Sequence, residues 1–249
     1  MTSIVLVLAL IVIHVAVVGL GGHLEKGLEE GGLSGLEGAL ILGANVGPWV
    51  RSGEVWRWVT STLLHTGWLH LGLNLYALVL LAPYVERILG SAQLVCLFVG
   101  CGALGSAFST LWTQAPSVGA SGALFGLLSA AWVGWMRSRG ETSAAVVWVG
   151  LCPWFTLNVV AVWMPGLPMD HAAHAGGLVA GLVGGWILPL QGEPHAVWRW
   201  VVLRVGLGVA CLVLSVSLVA GVRQVWVCGR DGATFYQCHP PEVLGLPGS

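Results

Sequence analysis

The chain has 249 residues, of which 56% are hydrophobic and only 8% charged, and its mean hydropathy is +0.85. Soluble domains carry about 25% charged residues, so this composition excludes an ordinary soluble enzyme, a disordered chain and a coiled coil. Its 10 Lys+Arg and 11 Asp+Glu nearly balance, which excludes nucleic-acid binding as a main activity because no basic stripe neutralises phosphates. A polytopic membrane protein in contact with the lipid bilayer is therefore predicted.

Predicted membrane spans account for more than half of the chain. A span needs about 20 mostly apolar residues, and hydrocarbon cannot hydrogen-bond to exposed backbone, so every span is expected to be helical. Seven stretches qualify, at residues 3–21, 59–81, 92–112, 118–136, 143–163, 171–190 and 198–222. The predicted fold class is an all-α bundle of about seven transmembrane helices. The first span lacks a positive n-region and contains His14, which favours a retained helix over a signal peptide.

Two segments are not predicted to cross the membrane. Residues 22–58 mix Gly and Glu with several tryptophans, including Trp49, which is typical of an interfacial loop with its tryptophans at the membrane–water boundary. The tail, residues 223–249, is polar and carries Cys228 and Cys238. We predict a disulfide between these two cysteines if the tail lies in an oxidising compartment.

The arginines of the short loops predict the orientation. Arg87, Arg137 and Arg139 follow the second and fourth spans, and positive charge in short loops marks the cytoplasmic side. A cytoplasmic N-terminus and an extracytoplasmic tail are therefore expected. The small extramembrane regions and the lack of a transit peptide favour the bacterial inner membrane.

Three spans carry polar residues, which are costly inside a membrane and are candidates for function. His70 and Asn74 in the second span are four residues apart and share one helical face. They are donors for an oxyanion or a polar pair that joins two helices. His65 lies off this face in a continuous helix and is interpreted as structural support.

The fourth and sixth spans carry a serine and a histidine beside small residues. Ser121 lies in a Gly-Ala-Ser-Gly string at a helix start, where backbone N–H groups stabilise negative charge. The string alone is weak evidence, because membrane serines also serve helix packing. His174 precedes a small-residue pair that lets helices approach closely, and imidazole is the usual base for a serine. Asp170 is predicted to cap this helix, while His171 faces the interface.

Alternating topology places the starts of spans two, four and six on the same side of the membrane. The side chains of Ser121, His174, His70 and Asn74 are therefore expected to meet at one depth, a few residues below the outer surface. Together they supply a nucleophile, a base and oxyanion donors.

The order of these motifs resembles the rhomboid family of intramembrane serine proteases. The resemblance runs from about Gly43 to Leu190 and rests on Gly43-Ala44-Asn45, Gly53-Glu54-Val55-Trp56-Arg57, His65…His70…Asn74, Val85-Glu86-Arg87, Gly119-Ala120-Ser121-Gly122, and Ala173-His174-Ala175-Gly176-Gly177 with Gly181.

The resemblance implies a role for each matching residue. Ser121 becomes the nucleophile and His174 its general base, in a dyad without an acidic third member. His70, Asn74 and the Ser121 backbone amide become the oxyanion hole. The residues implied as structural support are His65, Trp56, Arg57, Gly119, Gly122, Gly177 and Gly181.

A domain organisation follows from the same resemblance. Residues 1–190 form the catalytic core, 191–222 an additional C-terminal transmembrane helix, and 223–249 the tail. The implied function is cleavage of single-span membrane proteins within or near their transmembrane segment, without metal or cofactor. The loop 165–169 is a candidate lid over the site. The alternative is a rhomboid-like protein that binds transmembrane clients without cutting them.

Three other classes are disfavoured by the residues themselves. A metalloprotease would carry a His-Glu-x-x-His string, which this sequence lacks. A membrane cytochrome would use facing histidines as haem ligands, and visible absorption would reveal it. A transporter would use carboxylates inside its spans, whereas Glu86 and Asp170 lie at span ends.

Overall fold

The computed structural model describes residues 1–25, 39–40, 42–113, 115–138, 144–161 and 169–191, and scattered positions from 201 to 223. Eight helices in these ranges are α1 (Thr2–Glu25), α2 (Gly47–Arg51), α3 (Arg57–Leu63), α4 (Trp68–Ile88), α5 (Ser91–Trp112), α6 (Ser121–Arg137), α7 (Ala144–Ala161) and α8 (His171–Ile187). The tail cysteines, and the candidate lid except for its last residue, lie outside the described residues.

The described helices form a multi-pass membrane protein, which confirms the predicted all-α class. Three stretches are long and apolar enough to cross a bilayer among the residues described, namely Thr2–Gly19, Trp68–Ile88 and Ser91–Trp112. Helices α6, α7 and α8 coincide with three further predicted spans and have 17, 18 and 17 residues. The described positions between 201 and 223 are also helical, and all of them except Arg223 lie within the seventh predicted span.

The second span differs from its prediction as one continuous helix over residues 59–81. Helix α3 ends at Leu63, an extended segment follows, and α4 begins at Trp68 and continues to Ile88. Leu64 has φ −93° and ψ 152°, and Gly67 has φ 174° and ψ 172°, so both depart from helical geometry. Hydropathy is insensitive to such a break because it averages over about 20 residues, and the helices on both sides are rich in apolar residues.

The interfacial loop contains a buried arginine. Arg57 has no exposed surface and donates to the carbonyl oxygens of Leu40 and Ala44 at 2.8 and 3.0 Å, and its Nε donates to the Glu54 carboxylate. Its guanidinium carbon lies 4.6 Å from the ring centre of Trp49. Burial lowers the pKa of Arg57 and the Glu54 charge opposes this shift. These contacts tie the loop together through one cation.

Trp49, one of the tryptophans expected at the membrane–water boundary, is enclosed within the protein. It is only 3% exposed and packs with Ala39, Leu40, Ala44 and Val46 in a separate small apolar cluster. Tryptophan is enriched at membrane interfaces, but here its ring covers the Arg57 guanidinium instead. The loop therefore has its own core.

Helix α8 lies directly against α6 because glycines face glycines. A Cβ on Gly177 would overlap the carbonyl oxygen of Gly122, and a Cβ on Gly181 would overlap that of Gly126. Since the obstacle in both cases is backbone, no side chain can move aside to make room. This close approach brings the first turns of the two helices together.

Helix ends are tied to neighbouring elements. Glu86, near the end of α4, accepts hydrogen bonds from the Thr2 and Ser3 amides and so neutralises the positive end of α1. At the end of α8, Arg137 donates to the carbonyl oxygens of Gly185 and Leu188. These contacts hold α1 and α8 at fixed heights in the bundle.

Candidate active site

Ser121 and His174 meet at the start of α6 and the first turn of α8. His174 Nε2 lies 2.8 Å from Ser121 Oγ, which is hydrogen-bond distance. Ser121 is partly exposed, whereas His174 is 7% exposed. The hydroxyl is therefore open on one side while its imidazole partner is enclosed.

Asp170 and Phe125 hold the position of His174. Asp170 caps α8 by accepting the Ala173 amide at 2.9 Å, which confirms the predicted N-cap. Its other carboxylate oxygen accepts the Ser109 hydroxyl of α5. The Phe125 ring stacks on the imidazole with centroids 4.5 Å apart. The start of α8 is therefore held by Ser109 of α5, and the plane of the His174 ring by Phe125 of α6.

His171 lies apart from the contact between Ser121 and His174. Its side chain is exposed, and its ring centre is 5.9 Å from that of His174. That it faces the membrane interface stays a prediction. It provides a neighbouring imidazole outside the dyad contact.

His70 and Asn74 lie one turn apart on α4 and face the loop before Ser121. Asn74 Nδ2 donates to the His70 carbonyl oxygen at 3.0 Å. A Cβ on Gly119 would lie 2.7 Å from His70 Nε2 and 3.8 Å from Asn74 Nδ2. Gly119 also has φ +125°, a conformation that side chains disfavour. Only glycine leaves room for both donors beside this loop.

Hydrogen bonds to the short helix α3 and its following segment position the same loop. The Gly119 amide donates to the Ser61 carbonyl oxygen at 2.9 Å, and the Ala120 amide to His65 Nε2 at 3.5 Å. The two residues immediately before Ser121 are therefore anchored. The buried ring of His65 also contacts that of His70 edge-on, with centroids 5.1 Å apart.

The contacts of His14 and of Thr66 with the residues around His70 were not anticipated from the sequence. His14 of α1 packs edge-on against Trp68 at 4.6 Å and lies 6.3 Å from the His65 ring. Nothing in the sequence links His14 to this site, because the contact spans some 50 residues. Thr66 Oγ1 lies 3.3 Å from His70 Nδ1, and the four-residue spacing between them was a usable signal.

The arrangement combines the groups needed for acyl transfer. A hydroxyl bonded to an imidazole can lose its proton as it attacks, and neutral donors nearby can stabilise an oxyanion. In the part of the chain that the structure describes, no three His, Cys, Asp or Glu side chains are placed to hold a metal ion. The helical bundle therefore brings a hydroxyl, an imidazole and neutral donors to one place.

Comparison with known proteins identifies the family of this site. Residues 52–191 match the Rhomboid domain, so the chain belongs to the rhomboid family, as the resemblance implied. It is 30% identical over 168 residues to Rhomboid protease GluP of Bacillus subtilis (strain 168), covering 65% of this chain and 31% of that protein. It is 34% identical over 155 residues to RHOMBOID-like protein 6, mitochondrial, of Arabidopsis thaliana, covering 60% and 48%.

Some of the similar proteins are named as proteases, and one is named as inactive. Inactive RHOMBOID-like protein 8 of Arabidopsis thaliana is 31% identical over 132 residues, covering 51% of this chain and 36% of that protein. The chain spans about a third to a half of the length of these curated relatives. The relatives thus include a named protease and a named inactive protein.

Proposed function

We propose that this chain is an intramembrane serine endopeptidase that cleaves single-span membrane proteins within or near their transmembrane segment. The observation that carries the proposal is the 2.8 Å contact between Ser121 Oγ and His174 Nε2. It joins two helices of a rhomboid bundle at a partly exposed serine. Membership in the family alone does not require this contact.

In the proposed acylation step, Ser121 Oγ attacks the carbonyl carbon of the scissile peptide bond while His174 Nε2 takes its proton. The tetrahedral intermediate collapses, the C–N bond breaks, and His174 gives the proton to the leaving amine. An ester then joins the substrate acyl group to Ser121. Water attacks this ester with His174 again as base, and releases a carboxylic acid and the free serine.

The developing oxyanion is assigned to donors from two elements. His70 Nε2 and Asn74 Nδ2 face the Gly119 backbone, and the Ser121 amide lies at the start of α6, where helical N–H groups have no intrahelical partner. Fixed donors of this kind stabilise charge without reorganising during the reaction. Gly119 supports this geometry by leaving room for His70, and Gly122 by leaving room for the Ala173 backbone of α8.

The proposed substrates follow from the location of the site in the bundle. A transmembrane helix shields its peptide bonds in its own hydrogen bonds, so it must unwind locally before Ser121 can attack. Segments with helix-breaking and small residues near the cut are the expected substrates. Water reaches the acyl-enzyme from the outer side through the opening that leaves Ser121 partly exposed.

Covalent labelling tests the nucleophile directly. The purified full-length chain in detergent is expected to react with a fluorophosphonate probe at Ser121. Ser121→Ala should lose labelling completely and His174→Ala nearly so, because the unactivated hydroxyl is a weak nucleophile. Intact-mass analysis measures one adduct per chain. Equal labelling of Ser121→Ala and the unaltered chain would exclude Ser121 as the nucleophile.

The alternative is a rhomboid-like protein that binds transmembrane clients without cutting them. Similarity to a relative named inactive favours considering it. Cleavage of a model single-span substrate separates the two functions: the protease produces two fragments with the unaltered chain and none with Ser121→Ala. A non-cleaving binder would retain the substrate intact with both.

We further propose the membrane arrangement and its boundaries. The core comprises residues 1–190, followed by an additional helix at 191–222 and the tail at 223–249, with the N-terminus cytoplasmic in a bacterial inner membrane.

The orientation and the proposed disulfide of the tail are tested together. A membrane-impermeant thiol reagent applied to intact cells is expected to modify Cys228 and Cys238 only after reduction. Modification without reductant would refute the disulfide, and none after reduction would refute the orientation.

A further inference from the structure

A hydroxyl outside the proposed machinery contacts the ring of His70. Thr66 lies in the extended segment between α3 and α4, one turn before His70, and its Oγ1 is 3.3 Å from His70 Nδ1. Thr66 itself is exposed, so its side chain is not needed to fill the core. The contact with His70 is therefore better explained by hydrogen bonding than by packing.

The ring of His70 is partly exposed and has different neighbours at its two nitrogens. The His65 ring packs edge-on against it, with ring centroids 5.1 Å apart. On the Nε2 side lies Gly119, where an added Cβ would come within 2.7 Å of Nε2. Consequently Nδ1 faces Thr66 while Nε2 faces the loop before Ser121. The two ring nitrogens have separate surroundings.

A neutral imidazole carries one N–H donor and one acceptor nitrogen. To stabilise an oxyanion, His70 must carry its proton on Nε2, which leaves Nδ1 as the acceptor. The Thr66 hydroxyl can donate to Nδ1, and a bond in this direction stabilises the tautomer that an oxyanion donor needs. A hydrogen-bonded partner on the far nitrogen also fixes the ring orientation.

We propose that Thr66 is a positioning residue for oxyanion stabilisation, acting by donating its hydroxyl proton to His70 Nδ1 so that Nε2–H points toward the reacting carbonyl. This inference rests on the proposed protease function. It adds to the site a residue that acts through His70.

The test measures kcat and KM for a model transmembrane substrate with the full chain. Thr66→Val keeps the side-chain shape and removes the donor, and is expected to lower kcat about five- to tenfold with KM unchanged. Thr66→Ser keeps the donor and should remain within about twofold of the unaltered chain. In a His70→Ala background, Thr66→Val should cause no further loss because its partner is gone.

The outcomes separate this inference from the proposed function. Full kcat in Thr66→Val, with Ser121→Ala inactive, would overturn the role of Thr66 alone. An equal loss in both backgrounds would also overturn it, since that indicates a general structural effect. If Thr66→Val fails to fold, Thr66→Ala is measured in the same two backgrounds. Cleavage by Ser121→Ala would instead refute the protease mechanism.

Discussion

Loss of Ser121 or of His174 is expected to lower kcat for a transmembrane substrate by about 10³-fold or more. Each substitution removes one partner of the 2.8 Å contact. Without Ser121 the site has no nucleophile, and without His174 the Ser121 hydroxyl has no base to activate it. The double variant should be no slower than the slower single variant, because the two groups act as one unit. Steady-state cleavage in detergent micelles measures all three.

His171→Ala is the matched control for the His174 substitution. It removes an imidazole three residues away that is exposed and outside the dyad contact. Activity within about twofold of the unaltered chain is expected, since surface substitutions usually have small effects. For the Ser121→Ala/His174→Ala double variant, a loss of kcat equal to the product of the two single losses would contradict the prediction. It would show that Ser121 and His174 act independently.

Gly177→Ala is expected to abolish most of the activity without touching a proposed reacting group. The added methyl would overlap the Gly122 carbonyl oxygen, next to Ser121, and backbone cannot rotate away. Overpacking of this kind costs about 1–3 kcal/mol or more. Separation of α6 from α8 should also lower kcat by about 10²-fold, since an ångström of misplacement has that effect. Thermal unfolding and cleavage are measured on the same sample.

Gly100→Ala supplies the control for this substitution. Gly100 lies within α5, and a Cβ there would meet nothing within 4 Å. The same chemical change should therefore leave activity unchanged and stability unchanged or slightly higher, because alanine favours helix. Equal effects of the two substitutions would mean that the contact between α6 and α8 does not set the geometry of the site.

Much of the helical framework could be predicted from local properties of the chain. Length and apolarity predicted spans that coincide with α1, α5, α6, α7 and α8, since a helix in lipid needs a long apolar run. Glycine spacing indicated where helices approach, and the overlap of Gly177 with the Gly122 backbone gives the reason. The cap at Asp170 is equally local, because it depends on residues three apart.

The sequence predicted which helix starts would lie side by side at the site. It did not predict the individual side-chain contacts between them. Alternating topology predicted that Ser121 and His174 would lie at one depth, and the structure brings them within 2.8 Å. Their catalytic roles stay a prediction. Contacts of Asp170 with Ser109 and of Phe125 with His174 depend on how α5, α6 and α8 pack, which no local pattern states.

The sequence by itself determined a membrane-embedded helical bundle, the spans around Ser121 and His174, and the glycines between them, because apolarity and residue size act locally. Only the tertiary structure decided where the second span breaks before Trp68, that Trp49 is buried against Arg57, and that His14 contacts His65. The contact of His14 with His65 joins residues far apart in the chain, and the burial of Trp49 depends on how the loop folds around Arg57. Their contact energies exist only once the helices are assembled.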